Sequence, residues 1–103
     1  MVRALVLLAT MIMAAATAPD AHAADARRGE RLAQGHCASC HSVTAETGKE
    51  VADAPPFAVI AGKYGFDASA ISHAITGPHR KMNFSPDPAE AADIAAYIAT
   101  LGK

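Results

Sequence analysis

Five consecutive residues carry most of the chemistry in this chain: Cys37-Ala38-Ser39-Cys40-His41. Two thiols with two residues between them can reach two vinyl groups along one edge of a porphyrin. The imidazole beside the second thiol is then aimed at the metal. Cys-x-x-Cys-His is the attachment signature of a c-type haem. Other chemistries use similar residues. A thioredoxin-like redox pair sits at a helix start within a β-α-β pattern, which this chain does not show. A structural zinc site needs four ligands. His36 and His41 would complete the two cysteines on paper, but residues so close in sequence would strain to surround one ion. A disulfide across Cys37 and Cys40 closes a loop too small to constrain the unfolded chain much. Haem attachment is the favoured reading.

An iron held by one imidazole needs a sixth ligand or stays open. Of the four methionines, Met1, Met11 and Met13 lie in the leader described below, so Met82 is the sole thioether of the mature chain. It falls in an irregular loop between two helical stretches, where a side chain can be pointed at the far face of the iron. A thioether is a soft, neutral and weak donor; opposite histidine it favours ferrous iron and raises the reduction potential. Such a closed site suits electron transfer and discourages binding of oxygen or substrate. The alternative for Met82 is a hydrophobic gap-filler. His79, three residues away, is the next candidate ligand. His73 reads as a surface or packed residue, His36 precedes the tether too closely to cross to the far face, and Lys81 would first have to lose its proton.

The elements that must position these groups begin after an address segment. Arg3 supplies a basic start, residues 4–16 form an apolar run broken only by Thr10, and Ala21-His22-Ala23 offers the small residues a signal peptidase requires. The run is shorter than the roughly 20 residues a bilayer span needs. The expectation is a cleaved secretory signal peptide over 1–23 and one domain over 24–103, an uncleaved N-terminal anchor being the alternative. A domain of that size has a marginal core and usually needs a staple. Both cysteines lie inside the haem motif, so a covalently held porphyrin would be that staple. The mature chain has eight Lys+Arg against nine Asp+Glu and no block of like charge. That balance gives no reason to expect nucleic acid or an anionic membrane surface as a partner.

The pattern is all-α. Asp25 can cap a helix over 26–36 that runs into Cys37, with Gly29, Leu32 and Ala33 as its inner stripe. A glycine inside a helix costs about 1 kcal/mol against alanine, so Gly29 suggests the close approach of another helix. Residues 42–54 read as loop. Pro55-Pro56 ends it, and 57–61 forms a short apolar turn or helix stopping at Gly62. Asp67 can cap a helix over 68–76, which Gly77, as a left-handed cap, and Pro78 terminate. Asp87-Pro88-Ala89-Glu90 combines an N-cap, a proline at the first helical position and a capping-box glutamate. Ile94, Tyr97, Ile98 and Leu101 then share one face up to Gly102.

Together these residues resemble a small bacterial class I cytochrome c over essentially the whole mature chain. The matching pieces are Gly29-x-x-Leu32 ahead of the haem motif, Pro55-Pro56-Phe57, Pro78-His79-x-x-Met82, and Glu90-x-x-Asp93-Ile94-x-x-Tyr97-Ile98. The resemblance implies a cytochrome c-like fold, three to four helices around one haem c bound covalently through Cys37 and Cys40, with His41 and Met82 on the iron. It implies a steep crossing of the first and last helices at Gly29 and Ala33, with Tyr97 packed against it. It further implies a proline carbonyl, of Pro55 or Pro56, that accepts the Nδ1 proton of His41. Phe57, Ile60 and Phe84 would pack on the porphyrin face or rim. Many relatives follow the methionine with proline; here Asn83 stands in that place, which leaves the loop less rigid.

The function expected is that of a periplasmic electron carrier between redox enzymes, soluble or membrane-bound, with no span of its own in the mature protein. One rival is a cytochrome subunit held tightly in a dehydrogenase complex. Another is a gas-binding sensor or peroxidase-like enzyme, which would need an open distal position.

Overall fold

The computed structural model describes residues 23–46, 54–79 and 82–102. The expected signal segment up to residue 22, and Arg80 and Lys81, lie outside the described residues. Four helices run among the described residues in the order α1 (Ala26–His36), α2 (Phe57–Lys63), α3 (Ala68–Thr76) and α4 (Pro88–Thr100). Among the described residues there is no strand, Ala54 making only an isolated bridge. The fold is all-α, and α4 is its hub, packing against α1, α3 and α2.

Each helix begins where its local chemistry supplies partners for the free N–H groups of the first turn. The Asp25 carboxylate accepts from the backbone N–H groups of Arg27 and Arg28 at 3.0 and 3.1 Å. Asp67 does the same for Ser69 and Ala70. At α4 the capping box is complete: Asp87 accepts from Glu90 N–H at 2.8 Å, and Glu90 accepts from Asp87 N–H at 3.1 Å. Accepting these bonds holds the Asp25 and Asp87 carboxyls below their ordinary value of 3.8.

Two helix ends differ from the sequence expectation. α2 does not stop at Gly62 but continues to Lys63. The chain reverses instead at Gly65 and Phe66, both left-handed with φ of 61° and 59°. Phe66 N–H bonds back to the Ala61 carbonyl at 2.8 Å, and such closure holds a large side chain in a conformation that costs it about 1–2 kcal/mol. Gly77, at φ −75° and ψ −172°, is extended rather than left-handed. Pro78 accounts for this, since a proline disfavours the helical conformation in the residue before it.

The core is small. Ile71, Ile94 and Ile98 are almost wholly buried, together with Phe57, Tyr97, Leu101 and a set of alanines. Each large apolar side chain contributes about 1.5–3 kcal/mol by leaving water. The tightest contact is α1 on α4. A Cβ built on Gly29 would stand 1.9 Å from the Asp93 carbonyl oxygen, so the helices touch backbone to backbone there.

Asp93, on the inner face of α4, is fully buried. Its carboxylate accepts from Asp25 N–H at 2.8 Å and from the Arg28 guanidinium at 3.0 Å. Those two bonds fasten the start of α1 to α4. The sequence carried a signal for this: Asp93 lies four residues before Tyr97, a charge on the same apolar stripe.

Candidate haem centre

The haem motif is an extension of α1. Cys37 and Ala38 N–H groups bond to the Ala33 carbonyl at 2.8 and 3.1 Å, closing the helix. Cys40 and His41 N–H groups then turn back onto the Cys37 carbonyl at 3.1 and 2.9 Å. Both cysteines are therefore carried on one tight turn whose orientation α1 sets. Cys37 is half-buried, Cys40 is exposed, and both are free thiols. Burial pushes the Cys37 thiol up, so it stays neutral. A neutral thiol can add across a vinyl double bond, S and H to its two carbons, with no atom lost.

His41 is pinned from two sides. Its Nδ1 lies 2.7 Å from the carbonyl oxygen of Pro55. A carbonyl can only accept, so Nδ1 carries the proton and Nε2 keeps the lone pair that binds metal. Pro55 thus supplies the carbonyl, while Pro56 is the buried N-cap residue of α2. The Phe57 ring tilts against the imidazole at 5.2 Å between centroids. Phe57 is in turn held by its N–H bond to the Ser42 carbonyl at 2.9 Å and by edge contact with Tyr97 at 6.5 Å. The Tyr97 hydroxyl donates to the Val43 carbonyl. Burial, and secondarily Glu30, pushes the Tyr97 phenol up, keeping that donor protonated. The hub helix therefore reaches His41 through Phe57, and its Tyr97 also ties down Val43, two residues further along the chain.

The segment after α3 carries the other candidate ligands. A cavity of about 200 Å³ is lined by Ile75, Gly77, His79, Met82, Phe84 and their neighbours. Met82 is half-buried. The His79 ring faces the His41 ring at 6.0 Å between centroids, at 64°. Phe84 lies flat against His36, at 3.9 Å and 5°. That stack ties the Met82 loop to the last turn of α1, and nothing in the spacing of the sequence announced it. Ile60 is half-buried and packs against the core. His73 belongs elsewhere, lining a separate cavity of about 300 Å³ with Ala24, Ala68, Ser69, Ser72 and Ala92.

The donor set fits a covalently held haem: two free thiols on one turn and an imidazole whose tautomer leaves Nε2 for a metal. It does not fit the rival chemistries. Among the described residues no three His, Cys, Asp or Glu side chains converge to hold an ion such as zinc. The all-α fold also lacks the β-α-β setting of a thioredoxin-like pair.

Comparison with known proteins agrees with this geometry. The family model described as cytochrome c oxidase, cbb3-type, subunit III matches residues 24–98. Cytochrome c-552 of Bradyrhizobium diazoefficiens is 39% identical over 92 residues, covering 88% of each chain. No solved structure matches. With the Cys-x-x-Cys-His turn, the oriented His41 and this match across the folded part, the chain belongs to the cytochrome c family and carries haem c through Cys37 and Cys40.

Proposed function

We propose that this cytochrome is a periplasmic carrier that passes single electrons between larger redox enzymes, its iron held by His41 Nε2 on one side and Met82 sulfur on the other. The haem supplies the chemistry, since its iron takes up and releases one electron. The protein's part is to hold that iron still. The observation that carries the reading is the pinning of His41 between the Pro55 carbonyl and the Phe57 ring. A ligand so constrained rearranges little between oxidation states, which suits a carrier. The Pro55 bond also makes the imidazole a stronger donor. Met82 is the sole methionine after residue 13, and it lines a cavity with His79, the residue whose ring meets that of His41. That proximity supports it as the second ligand.

Export is supported by the leader's composition and by the family match, which begins at residue 24, immediately after the expected cleavage point. Among the described residues no helix is long and apolar enough to cross a membrane. The family description names an oxidase subunit, which favours a second reading: a cytochrome held permanently in a redox complex. Against it, Val59 is the one large hydrophobic that is markedly exposed among the described residues. A permanent partner normally covers a broader apolar patch.

The test is spectroscopic. Ferric protein with Met82 on the iron has a red charge-transfer band, and Met82→Ala should abolish it. A wild-type protein that lacks the band and binds carbon monoxide readily has an open distal site, and the sensor reading then replaces the carrier.

A further inference from the structure

Three histidines besides His41 lie among the described residues. His36 is stacked on Phe84 and His73 lines a different cavity. His79 alone is seen facing the His41 ring, and it shares a cavity wall with Met82. The separation is informative. Two imidazoles bound on opposite sides of one metal, each through a bond of about 2 Å, have ring centroids about 6 Å apart. His41 and His79 stand at 6.0 Å. The 64° between their planes is no obstacle, because the His79 ring can turn about its own metal–nitrogen bond while His41 stays pinned.

We propose that His79 is a second distal ligand, taking the iron when the Met82 thioether leaves, so that the site passes to bis-histidine coordination rather than opening to solvent. This rests on the reading of Met82 as resident ligand. One iron–sulfur bond breaks and one iron–nitrogen bond forms. Each donor binds through a lone pair, so the exchange itself moves no electron. Only a short piece of chain has to adjust. His79 and Met82 are three residues apart, at most about 11 Å along an extended backbone, and the segment from Met82 to Asp87 has no regular structure. The direction follows from the donors: the soft thioether favours ferrous iron, whereas imidazole tolerates the ferric state better. Oxidation therefore drives the site toward His79. Exchange of this kind keeps oxygen and small ligands off the iron even when the weaker bond fails.

The test uses the haem-loaded protein with Met82→Ala, the volume-conserving Met82→Leu, His79→Ala, and double variants combining each Met82 change with His79→Ala. His79→Ala alone should keep the red charge-transfer band, which checks that the fold survives. Each single Met82 variant should lose the band yet remain low-spin when ferric, with the paramagnetic resonance signature of two imidazoles and a reduction potential below wild type. Its ferrous form should bind carbon monoxide at least ~10-fold more weakly than the double variant, because only the fraction with His79 dissociated is competent. The doubles should be high-spin and return to low-spin with free imidazole. If both single variants are already high-spin and bind carbon monoxide like the doubles, His79 is no ligand and the proposal falls while Met82 stands. A wild-type protein without the band overturns the Met82 assignment and the exchange with it.

Discussion

The carbonyl oxygen of Asp93 occupies the space that any side chain at position 29 would need, 1.9 Å from where a Cβ on Gly29 would stand. The obstacle is backbone and cannot swing aside, so Gly29→Ala must push α1 and α4 apart. We expect a loss of about 3 kcal/mol or more, the upper end for overpacking and a large share of a small domain's stability. Gly35, in the same helix, has open space where its Cβ would stand, with nothing within 4 Å. Gly35→Ala should stabilise by up to about 1 kcal/mol. Denaturant unfolding of both variants decides the matter, and equal stabilities would mean that the helices do not need this contact.

Arg28 and Asp93 form an unequal pair, the Arg28 side chain 40% exposed and that of Asp93 fully buried. Removing the arginine strands a buried charge, whereas removing the charge leaves a cation that water can reach. Arg28→Ala should therefore cost about 3 kcal/mol. Adding Asp93→Asn to it should recover part of that loss, since the amide oxygen can still accept from Asp25 N–H. A double variant less stable than Arg28→Ala alone would contradict this account.

The His36–Phe84 stack should govern how firmly the Met82 loop is held. Aromatic pairs of this kind contribute about 0.5–1.5 kcal/mol beyond their buried area. On warming ferric His36→Ala, the red charge-transfer band should fade at a lower temperature than in wild type, well before the helices unfold. His36→Phe, which keeps a flat ring, should restore the wild-type temperature. Loss of the band together with the helices in His36→Ala would show that the stack has no separate influence on the loop.

Stability should fall at both extremes of pH for different reasons. The Asp25 and Asp87 carboxyls are lowered in the fold by the N–H groups they cap. Their contribution is present above the ordinary carboxylate value of 3.8 and is lost as pH falls through their depressed values. Asp87→Asn keeps an acceptor at the cap and should flatten the acid limb. Tyr97 is shifted the other way, so its contribution is complete below its ordinary value of 10.0 and is lost as pH rises through the raised one. Tyr97→Phe should lower stability at neutral pH by removing the bond to Val43 and should weaken the alkaline loss. Unfolding midpoints measured across pH test both limbs.

The bond between His41 Nδ1 and the Pro55 carbonyl has a direct spectroscopic consequence. In the haem-loaded protein the Nδ1 proton should appear as a discrete nuclear magnetic resonance signal that exchanges slowly with solvent. Pro55→Ala keeps the carbonyl and should leave that signal in place, since the proline ring takes no part in the bond. A rapidly exchanging proton in wild type would mean the ligand is not held in this way.

Residue types and their spacing specify the haem motif and the helices that carry it. Cys37, Cys40 and His41 are adjacent, and a local turn suffices to bring them to one macrocycle. The caps at Asp25, Asp67 and Asp87 and the apolar stripe of α4 are likewise properties of short stretches, so residue type and spacing specify them. Tertiary structure alone decided which proline carbonyl holds His41, because Pro55 and Pro56 differ only in how the loop is threaded past the ring. It placed Phe84 on His36 and His79 opposite His41, contacts between segments that no periodicity links. It also gave buried Asp93 its partners at the start of α1, more than sixty residues away. Each of those outcomes depends on how the helices cross. Gly29 marks the close contact in the sequence, but only the fold shows that the Asp93 backbone is what it meets.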